Sequence, residues 1–432
     1  MGITRILRVI GSASLTGALV FASAPPATAD QVRDDQWALK SLDAESVWEI
    51  SRGKGQTVAV IDDGVNARHP DLKGNVIEGK DFIDGGSTAP KNGDNHGTGI
   101  AGIIAGHGHG LGNRDGVMGL APEAKVLAIR ANASNSLQFD KAVKYAVDHG
   151  ASVINISQGG GKYSVDDEEA VAYALKKNVP IVASTGNSGK SVEYPAAYPG
   201  LVAVGGLEKS NTIWDNSNNG KQTLLSAPAV DIVSTGGPRN LNGYGIGDGT
   251  STATAYVSAA AALVRSKYPK LTAGQVVNRL TKTAEMPDSE KATKLPDDRY
   301  GYGALRPLAA LQEDVPKGPA YGPLSLPLKI KSDLEEAEKL KESQAQQKEA
   351  DREFVILWVI TGVLALLFVG GIILMILLVR RRRKKKRNVE LAGPSPYPYP
   401  PGQAPGYGMP HYQQQPDAQQ QMSAPPQQPP LN

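Results

Sequence analysis

The chain has 432 residues, room for one sizeable domain together with segments that do not fold as a globule. It contains no Cys, which excludes a disulfide framework, a thiolate metal site and a cysteine nucleophile, and leaves stability to packing. Its formal charge of +3 is local: eight of the 46 Lys and Arg stand in one run at 380–387, and the remaining 38 basic against 43 acidic residues net −5, which excludes a general basic surface for nucleic acid.

In chain order, residues 1–29 have the form of a secretory signal, with Arg5 and Arg8 ahead of an apolar stretch and Ala27-Thr28-Ala29 as the small-x-small cleavage site. A short N-terminal extension, 30–44, follows. From 45 to 313, short apolar runs alternate with amphipathic helical stretches ("QTVAVID", "KVLAIRA", "DKAVKYAVDHG", "ASVINIS", "EEAVAYALKKN", "PIVASTGN", "LVAVGGL"). That rhythm predicts an α/β fold, a mostly parallel central sheet with helices on both faces, whose functional residues should lie just after strands.

Residues 314–353 are expected to form a stalk or linker: "PKGPAYGPLSLP" from Pro316, then a charged helical stretch over Ser332 to Glu353. Residues 354–379 carry no charge, and at about 1.5 Å rise per residue they suffice for a transmembrane helix. The basic run that follows is a positive-inside flank. It places residues 380–432, including a disordered Pro/Gln-rich tail, in the cytoplasm and the domain outside a single-pass cell-membrane anchor.

Three residue types that together make a nucleophile stand at element termini. "TVAVIDDGV" ends a strand at Asp62 before the Gly64 turn, "HGTGIAGIIAG" starts a helix at His96, and "GDGTSTATAYVSAAAALV" carries Ser251 from a glycine-rich turn into a helix. A serine hydroxyl needs an imidazole to take its proton, and a carboxylate must hold that imidazole's tautomer. Asn187 in "VASTGNSG", after a further strand, is placed to donate to an oxyanion, with the Ser251 backbone N–H as a second donor.

Other polar groups read as structural. His107 and His109 in "GHGHGLG" sit among glycines without an acidic cluster, so a loop and no metal is expected, and no cofactor is implied. His69 lies in a turn with no helix to orient it as a base. In "SVDDEEAVAYALKK", Ser164 is the expected N-cap, and Asp166, Asp167 and Glu168 suit the first-turn dipole.

The motifs "VAVIDDGV", "HGTGIAG", "VINIS", "VASTGNSG" and "GTSTA", in this order over roughly residues 45 to 312, resemble the subtilisin family of serine peptidases. "HPDL" at His69, "GVMGLAP" at Gly116 and "YPAAYPGLVAVGG" at Tyr194 extend the likeness. The resemblance implies a three-layer subtilisin-like fold and a serine endopeptidase. It matches the family's acid to Asp62 rather than Asp63, its base to His96, its nucleophile to Ser251 and its oxyanion asparagine to Asn187. It also implies that an extended peptide pairs with Ser157-Gln158-Gly159, with Ser184-Thr185-Gly186 walling the first specificity pocket. Gln158 stands in place of the usual leucine, and the residues after Ser251 depart from the usual pattern.

No domain-sized propeptide fits ahead of the catalytic domain. A short extension, a protease domain and a C-terminal membrane helix together are similar to the mycosins, membrane-anchored subtilases of type VII secretion systems, although mycosins usually carry cysteines and lack such a tail. This layout implies exported protein or peptide substrates and contact with that machinery. A structural component of a secretion assembly and a general degradative surface protease are the alternatives.

Overall fold

The computed structural model describes residues 29–389 apart from 92, 94, 134–135, 238–242 and 289–293. The expected signal up to residue 28 and the tail beyond 389 lie outside the described residues. The strands in chain order are β1 (Thr57–Asp62), β2 (Val76–Asp81), β3 (His107–His109), β4 (Asp115–Met118), β5 (Lys125–Arg130), β6 (Val153–Ile156), β7 (Ile181–Ser184), β8 (Val202–Leu207), β9 (Thr223–Pro228), β10 (Ile232–Ser234) and β11 (Gly245–Gly247). The helices are α1 (Ala29–Asp34), α2 (Trp37–Ser41), α3 (Ala44–Ile50), α4 (His96–Ala105), α5 (Ser136–Asp148), α6 (Val165–Lys176), α7 (Thr250–Lys267), α8 (Ala273–Lys282), α9 (Pro307–Gln312) and α10 (Leu328–Val389).

Seven strands form one sheet in the order β2-β5-β1-β6-β7-β8-β9, each pair parallel. β6, β7, β8 and β9 are buried at every position and β1 at all but the first, so both faces are covered, as unbroken Val/Ile/Ala runs require. β2, at the edge, is mostly open to solvent. From β1 the chain goes outward to β2, returns through β5, and crosses to β6 to build the other half. The crevice beyond the carboxyl ends of β1 and β6 is therefore a topological switch point, where α/β sheets place ligands. Asp62 is the last residue of β1.

The α7 helix packs against β6 to β9 and against α4, and is buried along most of its length. Its small residues (Ala253, Ala255, Ala259 to Ala262) let the backbone lie close to the sheet. α8 is held by a capping box in which Thr272 Oγ1 accepts from Gln275 N (3.2 Å) and Gln275 Oε1 accepts from Thr272 N (3.1 Å).

The N-terminal extension folds onto this domain. Ala38, Leu39 and Leu42 are buried, the Gln36 side chain exchanges two hydrogen bonds with the Met118 backbone (2.8 and 2.9 Å), and the Trp37 indole donates to Val230 O (3.1 Å). The stretch from Pro316, expected as a stalk, starts as part of the domain too. Asn278 donates to Pro316 O (3.2 Å), and Leu324 and Ile330 are buried.

At α6 the expected cap is corrected. Ser164 occupies the N-cap position but its side chain makes no cap bond, and Asp167 and Glu168 are buried rather than merely dipole partners. Asp167 accepts from Tyr198 Oη (3.0 Å), and burial pushes its carboxyl up to about 6. Glu168 accepts the Leu328 N–H (2.7 Å), so this acid satisfies the first turn of α10.

The chain divides into two compact units, Met1–Glu342 and Ser343–Asn432. Within α10 the residues 354–379 form an uninterrupted apolar surface, and the helix is long and apolar enough to cross a membrane.

Candidate active site

Asp62 leaves β1 almost fully buried, and its Oδ1 lies 2.9 Å from His96 Nδ1 while also accepting the Asp63 N–H (2.8 Å). A carboxylate at Nδ1 holds the proton there and leaves Nε2 as the basic nitrogen. The Asp62 charge pushes His96 up to about 9, against the opposing effect of burial. Gly64 makes the turn after β1 with φ of 128°, a conformation open to glycine.

His96 begins α4, yet the N-cap residue Asn95 makes no side-chain cap bond. Asp63 does that work from another element: its two carboxylate oxygens accept the N–H groups of His96 (3.1 Å) and Gly97 (2.8 Å). Burial first and the Asp62 charge second push Asp63 up to about 6. Arg130, at the end of β5, donates to the Asp63 carbonyl (3.0 Å) and pairs with Asp81 and Asp84, pinning the acidic turn. Gly97 must lack a side chain, because a Cβ there would meet Gly64 O at 2.5 Å.

Ser251 is the second residue of α7, where its N–H has no intrahelical acceptor. Its hydroxyl donates to Ser157 O (3.0 Å) rather than to His96. The Ser157 hydroxyl donates back to Ser251 O (3.0 Å) and receives Asn155 Nδ2 (3.0 Å), while Asn155 Oδ1 accepts from Ser258 Oγ (2.9 Å). A buried polar chain thus runs from β6 into α7 beneath the serine. His96 and Ser251 line one cleft of about 180 Å³ with Ile100, Ile103, Ile232 and Ile246.

Asn187 follows β7 in a loop. Its Oδ1 accepts both the Thr250 N–H (2.9 Å) and the Thr250 hydroxyl (2.8 Å). A backbone N–H can only donate, so the amide orientation is settled and Nδ2 is left as a donor beside the Gly249 turn.

The expected substrate residues converge around this point in different ways. Ser157 contributes its carbonyl to the Ser251 hydroxyl, and Gln158 accepts the Ala133 N–H (2.7 Å), so its side chain braces a neighbouring loop. Ser184 and Thr185 are buried, and Gly186 holds φ of 112°. The sequence alone assigns no role to Asn155 or Thr250, and it does not mark Asp63 as the cap of α4. An acid doubled in "DDG" and an asparagine inside an apolar strand were the available signals.

The histidines set aside from sequence are not in an acid-free loop. His109 Nδ1 lies 2.6 Å from Asp71 Oδ1, a residue 38 positions away, and Asp71 also accepts from Val117 N (2.7 Å) and Tyr244 Oη (2.8 Å). His69 is buried with its ring edge-on to Tyr244 (5.3 Å). This is a structural knot between β3, β4 and the segment before β11. Among the described residues no group of three or more His, Asp or Glu gathers to hold a metal.

The subtilase family model matches residues 53–303, more than half of the chain. The chain belongs to the subtilase family. It is 40% identical over 238 residues to the thermophilic serine proteinase of Bacillus sp. (strain AK1), covering 54% of this chain and 58% of that protein. To subtilisin DY of Bacillus licheniformis it is 37% identical over 271 residues, covering 60% of this chain and 92% of the relative. Among solved structures, the MycP3 protease from the type VII (ESX-3) secretion system superposes with a TM-score of 0.55 at 33% identity, over 64% of this chain and 88% of that one. This subtilase is therefore a subtilisin-like serine protease with a mycosin-like structure.

Proposed function

We propose that the chain is a membrane-anchored extracytoplasmic serine endopeptidase, a mycosin-type subtilase acting on exported proteins or peptides in a type VII secretion setting, with Asp62, His96 and Ser251 as its triad. One observation carries the reading: the 2.9 Å Asp62–His96 pair opens on the same cleft as Ser251, beside an Asn187 amide whose orientation Thr250 settles.

In this mechanism Ser251 rotates from the Ser157 carbonyl toward His96 Nε2, which takes the hydroxyl proton as Oγ attacks the scissile carbonyl. Asp62 stabilises the imidazolium. Asn187 Nδ2 and the Ser251 N–H hold the oxyanion, and His96 then gives its proton to the leaving amine. Water attacks the acyl-enzyme with the same base. Substrate would lie along Ser157-Gln158-Gly159, with Ser184-Thr185-Gly186 as the facing wall of the first pocket.

The apolar stretch 354–379 of α10 supplies the anchor and the basic run behind it the cytoplasmic flank. Type VII secretion enters through the likeness to MycP3. The test is labelling of the full-length protein in detergent with a fluorophosphonate, alongside hydrolysis of unfolded protein. Labelling that is lost in Ser251→Ala with unchanged thermal midpoint is expected. No labelling of the intact serine, or labelling that survives Ser251→Ala, overturns the assignment.

A further inference from the structure

We propose that Glu193 makes this protease select a cationic side chain, lysine or arginine, at the residue whose carbonyl Ser251 attacks. This rests on the reading above of Ser251 as nucleophile and of the segments around Gly159 and Gly186 as pocket walls.

Both walls present a glycine to the space between them, and a carboxylate stands in that space. A Cβ on Gly159 would come within 2.5 Å of Glu193 Oε2, and one on Gly186 within 2.2 Å of Asn218 Nδ2 and 3.0 Å of Glu193 Cδ. Glu193 therefore bridges the pocket from the segment behind it. Its backbone is fastened to the wall, the N–H donating to Thr185 O (3.0 Å).

The carboxylate is held but not neutralised. Asn218 Nδ2 donates to Oε1 (3.2 Å), and the Asn218 amide is itself fixed, its Oδ1 accepting from Ser188 N (2.9 Å), Ser188 Oγ (3.0 Å) and Lys190 N (2.9 Å). Among the described residues no Lys, Arg or His forms an ion pair with Glu193, and Oε2 accepts no hydrogen bond. Glu193 is half-buried, and Oε2, beside Gly159 and without a hydrogen bond among the described residues, is the oxygen that a cationic side chain lying between Gly159 and Gly186 would meet.

An ammonium or guanidinium arriving there exchanges water for a charge-assisted hydrogen bond to a carboxylate already in place. An uncharged side chain must dehydrate that carboxylate without return, and an acidic one is repelled. The four-methylene stem of lysine or the three-methylene stem of arginine passes the glycine walls as an extended apolar rod.

The test uses full-length protein in detergent and matched fluorogenic peptides that differ only in the attacked residue: Lys, Arg, Gln, Leu, Ala or Glu. The expected result is a kcat/KM for Lys and Arg at least tenfold above Gln and Leu, and a fall of at least tenfold in the Lys-to-Leu ratio in Glu193→Gln. Equal or better cleavage after small uncharged residues by the wild type, which would make Glu193 a plug for the pocket, overturns the proposal. So does an unchanged ratio in Glu193→Gln. Fluorophosphonate labelling separates the two levels: labelling at Ser251 without a preference for Lys or Arg sinks the specificity alone, whereas absent labelling and absent hydrolysis sink the protease assignment with it.

Discussion

Asp63 offers the sharpest test of how the base is tuned. Its carboxylate receives two N–H groups at the start of α4, one of them from His96 itself, and its charge adds to that of Asp62 in raising the imidazole to about 9. In Asp63→Asn one acceptor remains for the Gly97 N–H, while the negative charge beside the ring is gone. Asp63 is the weaker of the two carboxylates acting on His96, and a charge at this range contributes about 1 kcal/mol even with strong solvent screening, which is about 0.7 of a pH unit. The acid limb of kcat/KM against pH, which reports the free enzyme's base, should therefore move down by about half to one unit. Asp63→Ser, which keeps an acceptor but no charge, should give the same shift.

Stability supplies an independent sign. Because the folded value of Asp63 is raised from 3.8 to about 6, the native state binds a proton there that the unfolded chain releases earlier. That contribution is complete below about 4 and is lost as pH rises through about 6. Urea unfolding from pH 4 to 7 should show wild type losing stability relative to Asp63→Asn across this window. A kinetic limb that stays in place or moves up, or a stability difference that is flat or of opposite sign, would refute this account of the acidic turn.

Two further perturbations probe the supports of the site. Thr250→Val keeps the side-chain volume but removes the 2.8 Å bond to Asn187 Oδ1, so the amide is held by one donor instead of two, and it also removes the acceptor of the Gly186 N–H (3.2 Å); a loss of about 1–2 kcal/mol in holding the amide should lower kcat about 5- to 30-fold, and an unchanged kcat would contradict it. Asn155→Ala deprives the buried Ser157 and Ser258 hydroxyls of their shared partner, and should cost about 2–4 kcal/mol in urea unfolding; a loss below about 0.5 kcal/mol would mean the polar chain under Ser251 is replaceable.

Why some of this site is legible in sequence and some is not follows from where each interaction is encoded. Asp62, His96, Asn187 and Ser251 each sit where an apolar run meets a glycine turn, and the local pattern marks such junctions. The alternation of those runs also carries the parallel sheet, and the turn in strand order at β1 puts Asp62 at the crevice. Contacts made only by folding leave no such mark. His109 finds Asp71 across 38 positions, and the cap of α4 comes from Asp63 instead of its own N-cap residue, Asn95.

Glu193 is the strongest case. In "SVEYPAAYP" it is one acid in a polar loop, next to a family-like segment but outside every catalytic motif. Its chemistry exists because three separate segments bring Gly159, Gly186 and Asn218 around one carboxylate. A side chain at either glycine would collide with the Glu193–Asn218 pair, so placing that charge requires both glycines. Substrate choice in this protease is then set by an acid that the catalytic motifs do not contain, which is why the triad alone could define the reaction but not the residue it cuts after.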